Sequence, residues 1–324
     1  MATSTRDRLR QIVPFVGAAA LLGYFFWSTD WQKFAAALKY ADLFRYTVVI
    51  LTTTVLVWLY DAFCLTWLVG RTLRDRGRVL SWRTFLPIKA ASYYINLINY
   101  HAATLAMAWL VGKRKNVSFL EATASLALLS YLDLIVVAGM VAVGLMLAPD
   151  VVAAQPGLQG WLQGVTAVVF VGAVTSVLLL QSNWKLPLLV QLRTLPVLRP
   201  LASLKPGAML IGIALRTGLI VAYVAINMQL MLCFGMQPTW GRMFVVMPIL
   251  TIIGTVPISV SGLGTTQVPM RTLYAPFVVD GRDPSPVIDA FSTSMIIGFV
   301  VVRLLLALPY LRGILAELRE KKIA

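Results

Sequence analysis

The sequence predicts an all-α polytopic membrane protein: about six membrane-spanning helices plus two opposed re-entrant helical hairpins arranged as an inverted repeat. Three observations carry the prediction. The 324 residues are 59% hydrophobic and only 13% charged, against roughly 45–50% and ~25% in soluble domains. Long apolar runs recur along the whole chain, and the basic residues fall between them on alternate loops. Two further apolar segments are broken at their centres by polar or Gly/Pro-rich residues.

The runs lie at about 12–28, 43–70, 119–147, 161–181, 207–234 and 286–308. Each approaches or exceeds the ~20 residues that an α-helix needs to cross a bilayer. Arg6, Arg8 and Arg10 precede the first run, as in a signal peptide, but no small-residue cleavage site follows Trp27 and more runs come after. The first run is therefore expected to be an uncleaved helix.

The net charge of +15 reads as topology. Segments 1–11, 71–83, 113–118, 182–206 and 309–324 hold 19 of the 28 Lys and Arg, whereas 29–42, 148–160, 235–241 and 278–285 hold only Lys33, Lys39 and Arg282. Cytoplasmic loops carry the basic excess, so both termini are expected in the cytoplasm. Basic residues scattered over short loops form no stripe for nucleic acid. Cys64 and Cys233 lie in apolar runs and read as packing residues, with no disulfide framework. A single histidine, His101, with no Cys or Glu cluster predicts no metal centre, and no nucleotide or other cofactor motif is present.

Basic loops flank 84–112 on both ends, and its centre reads Asn96-Leu97-Ile98-Asn99-Tyr100-His101. Arms of about 13 residues give ~20 Å of helix against a ~30 Å hydrocarbon core, so the segment should enter and leave on one side. Segment 242–277 repeats the argument from the opposite side, around Pro257 and the turn Gly262-Leu263-Gly264. Irregular backbone at membrane depth must be buried in protein or line a wet cavity, which predicts that the two tips meet. The chain then forms a single transmembrane domain over 1–324. Units 43–147 and 207–308 are inverted relative to each other, with helices 12–28 and 161–181 peripheral or connecting. That is a recurring transporter plan.

Cations at membrane depth usually face an interior cavity; here they are Lys89, Arg216, Arg271 and Arg303. With the helix start at Thr265 and Gln267 they could seat an anionic head group. Snorkelling, or pairing with Asp61, Glu121, Asp133 or Asp289, is the competing reading. His101 could relay protons or simply pack. Ser261 with His101 could make a hydrolytic dyad, but Ser259 stands where an intramembrane protease has glycine, so catalysis is not expected.

Pro257-x-x-x-x-Gly262-Leu263-Gly264-x-x-Gln267, with Arg303, Asn96 and Asp133 in Tyr131-Leu132-Asp133-Leu134, resembles the lysylphosphatidylglycerol synthase transmembrane-region family over about residues 10–315. The resemblance implies a lipid flippase that moves an anionic or phosphate-bearing lipid between leaflets. From the residues and the resemblance together, the candidate binding residues are Gly262, Gly264, Thr265, Gln267, Arg271, Arg303, Asn96, Asn99, His101, Lys89 and Arg216, with Asp133 a coupling or structural acid. The departures are Gln267 for the family's Glu, Tyr100-His101 for Pro-Gly, Thr104-Leu105 for Gly-Glu, and Ser130 for Arg. The family's synthase domain is absent from these residues, so aminoacylation is not expected. The expected partner is membrane lipid, with a protein partner or a second copy possible and no nucleic acid. A non-transporting subunit or scaffold of a lipid-modifying enzyme is the alternative.

Overall fold

The computed structural model describes residues 23, 27, 29–73, 81–96, 100–153, 156–255 and 266–319. Every regular element among them is helical. In chain order these are α1 (Trp31–Tyr40), α2 (Leu43–Thr72), α3 (Trp82–Asn96), α4 (Tyr100–Lys115), α5 (Phe119–Leu147), α6 (Asp150–Ala153) and α7 (Pro156–Gln181). Then follow α8 (Pro187–Thr194), α9 (Arg199–Ser203), α10 (Pro206–Leu232), α11 (Trp240–Thr255), α12 (Gln267–Tyr274), a 3-10 turn (Ala275–Phe277) and α13 (Pro284–Arg319).

Five helices are long and apolar enough to span a bilayer: α2, α5, α7, α10 and α13. They match five of the six expected runs; the sixth, 12–28, lies almost wholly outside the described residues. Their starts are chemically marked. Asp42 caps α2 by accepting from the Arg45 amide, and Ser118 caps α5 by accepting from the Glu121 amide, which satisfies N–H groups that the first helical turn leaves open. Lys205-Pro206 begins α10, where proline costs no internal hydrogen bond. Large apolar side chains such as Phe44, Leu56, Val168 and Leu178 project outward, as they do when the solvent is lipid.

Three stretches read as loops are partly helical: 29–42 contains α1, and 182–206 contains α8 and α9. Asp30 caps α1 by accepting from the amides of Gln32 and Lys33. Arg193 fixes α8 by donating to the carbonyls of Leu179, Leu180 and Trp184. The remaining one, 148–160, holds α6, whose Asp150 pairs with Arg242 at 2.5 Å. That hydrogen bond holds the Asp150 carboxyl below the ordinary carboxylate range.

Of the two broken segments, the first gives helices of 15 and 16 residues, α3 and α4. They are packed antiparallel, with Arg114 at the end of α4 donating to the Thr84 carbonyl at the start of α3 at 2.9 Å. The second gives α11, 16 residues, and the 8-residue α12. Residues 97–99 and 256–265, where the expected tips fall, lie outside the described residues.

Two of the five buried apolar clusters among the described residues matter most for the site. One is built on α2–α5 from Leu65, Phe85, Ile88, Ala108 and Val111. The larger joins α2 to α10–α13 through Tyr46, Leu230, Phe234, Tyr274 and Phe291. Helices α5 and α11 approach closely because Gly144 and Gly241 face each other: a Cβ on Gly144 would stand 2.8 Å from Val245 Cγ2 and 3.0 Å from the Gly241 carbonyl oxygen. Small residues at such crossings let helices pack where lipid supplies no hydrophobic drive. Helix α7 is peripheral, with only 11% of its apolar window buried, and is fastened by Tyr131 donating to the Ala173 carbonyl at 3.0 Å.

Candidate ion-paired cavity

Asp61 is the only acid in α2 and sits eighteen residues from its start, about 27 Å along the axis. Asp133 lies fourteen residues from either end of α5. Arg216 on α10 and Lys89 on α3 reach the same level. Packing of α2 against α3, α5 and α10 brings the four charges together. Lys89 Nζ lies 2.6 Å from Asp61 Oδ2, and Arg216 Nη1 donates to Asp61 Oδ1 at 2.8 Å. Arg216 also grips Asp133 with two donors, Nε and Nη2, the latter at 2.6 Å. Such a two-pronged grip is what the planar guanidinium makes and an ammonium cannot.

Ions removed from water remain charged only where opposite charges and donors surround them. Here each carboxylate has cation partners, and the set sums to zero. The four residues line a cavity of about 90 Å³ together with Ser92, Asn96, Thr104 and Ser130. Hydroxyl and amide groups on such a wall fit water or a small polar group.

Arg303 on α13 stands beside this set. Its guanidinium lies 5.4 Å from the Tyr93 ring centre and 5.2 Å from that of Phe299, while Lys89 Nζ is 5.7 Å from the same Tyr93 ring. Among the described residues Arg303 makes no ion pair with a carboxylate; aromatic faces hold it instead. The membrane-depth charge of this region is therefore positive by one.

Of the residues expected at the site, Lys89, Arg216, Asp133 and Asn96 share the cavity, and Arg303 adjoins it through Tyr93. Gln267 and Arg271 belong to a second cluster on α12 and α13. Gln267 is buried and donates to Thr293 at 3.0 Å. Arg271 grips Asp289 at 2.7 and 2.8 Å and donates to Thr29 at 3.2 Å. Neither lines the cavity. Asn99, Gly262, Gly264 and Thr265 lie outside the described residues, as does the side chain of His101 in the first turn of α4. Sequence reasoning treated Asp61 only as a possible partner, yet it is the residue that joins both cations. The available signal was its isolation: one carboxylate deep in an apolar helix is itself a marker of an interior site. Tyr93 carried no such signal.

The model of the lysylphosphatidylglycerol synthase TM region matches residues 11–305. The chain belongs to this family. It is thus a multi-pass membrane protein of a group associated with lipid modification and flipping, and the resemblance read from the Pro257–Gln267 motif holds across most of the chain. No curated protein and no solved structure matches it. Within the family match fall all four charges of the cavity and Arg303.

Proposed function

We propose that this family member is a lipid translocase that carries an anionic or phosphate-bearing head group between leaflets of the bacterial inner membrane. The observation that carries the reading is the cluster of Asp61, Lys89, Asp133 and Arg216 around a polar cavity at mid-depth of long apolar helices, with Arg303, which pairs with no carboxylate among the described residues, alongside. A bundle that only packed would gain nothing from buried ions, because an apolar replacement of similar volume is commonly as stable or more so. A transported head group, by contrast, needs polar partners where the membrane offers none.

In this reading α3–α4 and α11–α12 are re-entrant hairpins of opposed, inverted units. The short lengths of α3 and α4 support it: 15 and 16 residues give about 22–24 Å of helix. Both termini face the cytoplasm, as the basic loops require. The chain acts without a catalytic group or cofactor.

The test is reconstitution in liposomes containing a fluorescent phosphatidylglycerol, with a membrane-impermeant quencher added outside. Quenching beyond the outer-leaflet fraction, lost in Arg303→Ala while the variant stays folded, is the expected result. Quenching confined to the outer leaflet across several head groups, with and without an ion gradient, would favour a non-transporting partner subunit.

A further inference from the structure

The cavity contains equal numbers of carboxylates and cations. Arg303 does not line the cavity, being held against Tyr93 and Phe299, so an anion that enters beside two ionised acids leaves one negative charge uncompensated among the lining side chains, in a region of low dielectric. To reach Arg216 it must take the place of a carboxylate, and the two carboxylates are not equivalent. The Asp61 side chain is 6% exposed and bonded by both cations, Lys89 and Arg216. The Asp133 side chain is 30% exposed on the cavity wall and bonded by Arg216 alone among the described residues.

We infer that Asp133 accepts a proton when a phosphate-bearing anion binds, and yields the Nε/Nη2 fork of Arg216 to that anion. The proton comes from water with the incoming anion and attaches to an Asp133 carboxylate oxygen. Asp133 becomes a neutral carboxylic acid, the Arg216 fork turns to two phosphate oxygens, and the cavity keeps its charge. Guanidinium fits phosphate and carboxylate with the same pair of donors, so the exchange needs no rebuilding of the site. No bond within the lipid changes.

The surroundings leave Asp133 as the exchangeable group. On α2, Asp61 and Cys64 face it; Arg216 faces it from α10, and Lys89 lies within reach on α3. Helix α7 contains no titratable side chain. Those of α4 lie at its ends: Tyr100, His101, Lys113, Arg114 and Lys115. Arg242 of α11 pairs with Asp150, and Arg199 of α9 with Glu121. Of the two carboxylates, Asp133 is the one with a single cation partner among the described residues.

The inference deepens the lipid-translocase reading and rests on it for the identity of the anion. Its test is calorimetric titration of the purified full-length protein, in an uncharged detergent, with short-chain phosphatidylglycerol. Repeating the titration in two buffers of different ionisation heat gives the protons taken up per lipid. We expect about one, with affinity falling about tenfold per pH unit once Asp133 is ionised. Asp133→Asn should bind with no proton uptake, and Asp133→Glu should restore it. Wild-type binding without proton uptake overturns the inference and leaves the lipid reading intact; so does uptake that persists in Asp133→Asn. Proton-linked binding of inorganic phosphate without binding of the lipid would support the exchange at Asp133 and overturn the lipid reading instead. A wild-type count near zero overturns the inference even where a variant does not fold, and Asp133→Glu locates the proton where Asp133→Asn does not fold.

Discussion

The guanidinium of Arg303 lies 5.4 Å from the centre of the Tyr93 ring. This contact holds a cation that pairs with no carboxylate among the described residues next to the ion-paired cavity. A desolvated cation–π contact is worth about 2 kcal/mol. Tyr93→Phe keeps the aromatic face and should retain lipid quenching in liposomes; Tyr93→Leu should slow it several-fold, towards the level of Arg303→Ala. Equal rates in the two Tyr93 variants would show that the ring does not position Arg303.

Asp61 binds Lys89 and Arg216 at 2.6 and 2.8 Å, so its loss strands two buried cations. Breaking a buried pair costs about 3–5 kcal/mol. Asp61→Asn should therefore lower thermal stability in detergent substantially, and Lys89→Met in the same chain should recover part of the loss. The readout is built in: Cys64 and Cys233 are buried free thiols that a thiol-reactive dye reaches only on unfolding. A double variant no more stable than Asp61→Asn would mean that Lys89 does not need this carboxylate.

The α5–α11 crossing yields a prediction with an internal control. Gly144→Ala places a methyl 2.8 Å from Val245 Cγ2 and 3.0 Å from backbone atoms of α11, and overpacking of this kind costs about 1–3 kcal/mol. Gly172 on α7 has nothing within 4 Å, so Gly172→Ala should be neutral or stabilising by about 0.5–1 kcal/mol. Dye-monitored melting compares them directly. Equal midpoints would place no close approach at Gly144.

The parts of this fold that depend on length and polarity were legible in the sequence. Apolar runs of twenty or more residues have few alternatives in lipid, and α2, α5, α7, α10 and α13 begin and end near the expected places. The extension of α13 to Arg319, beyond the expected end at 308, follows a helix that continues through Pro309. The short helices α1, α8 and α9 are not legible, since their residues are polar enough to read as loop. At the site, Lys89 and Arg216 are legible because charge at depth is costly whatever surrounds it, and Asp133 is legible through the family resemblance. Their pairing was not, because which acid meets which base is fixed by the contact of α10 with α2 and α5, not by spacing along the chain. Arg271 shows the same limit: its partner Asp289 lies on the neighbouring helix, eighteen residues on.

The topology can be tested on the nearly native chain, because Cys64 and Cys233 are 2% and 3% exposed and should not label. A cysteine in place of the exposed Lys185 should react with a membrane-impermeant reagent from the cytoplasmic side, and one in place of the exposed Val279 from the opposite side. That pair tests the single crossing by α10. It does not separate a re-entrant α11–α12 from two full crossings, since both return the chain to the same face. A cysteine in place of Ser259 does. In a re-entrant segment it is reachable only from the Val279 side or not at all, because the arms turn back near mid-membrane. If α11 crossed completely, Ser259 would emerge beside Lys185 and label from the cytoplasm, and the inverted-hairpin arrangement would have to be abandoned.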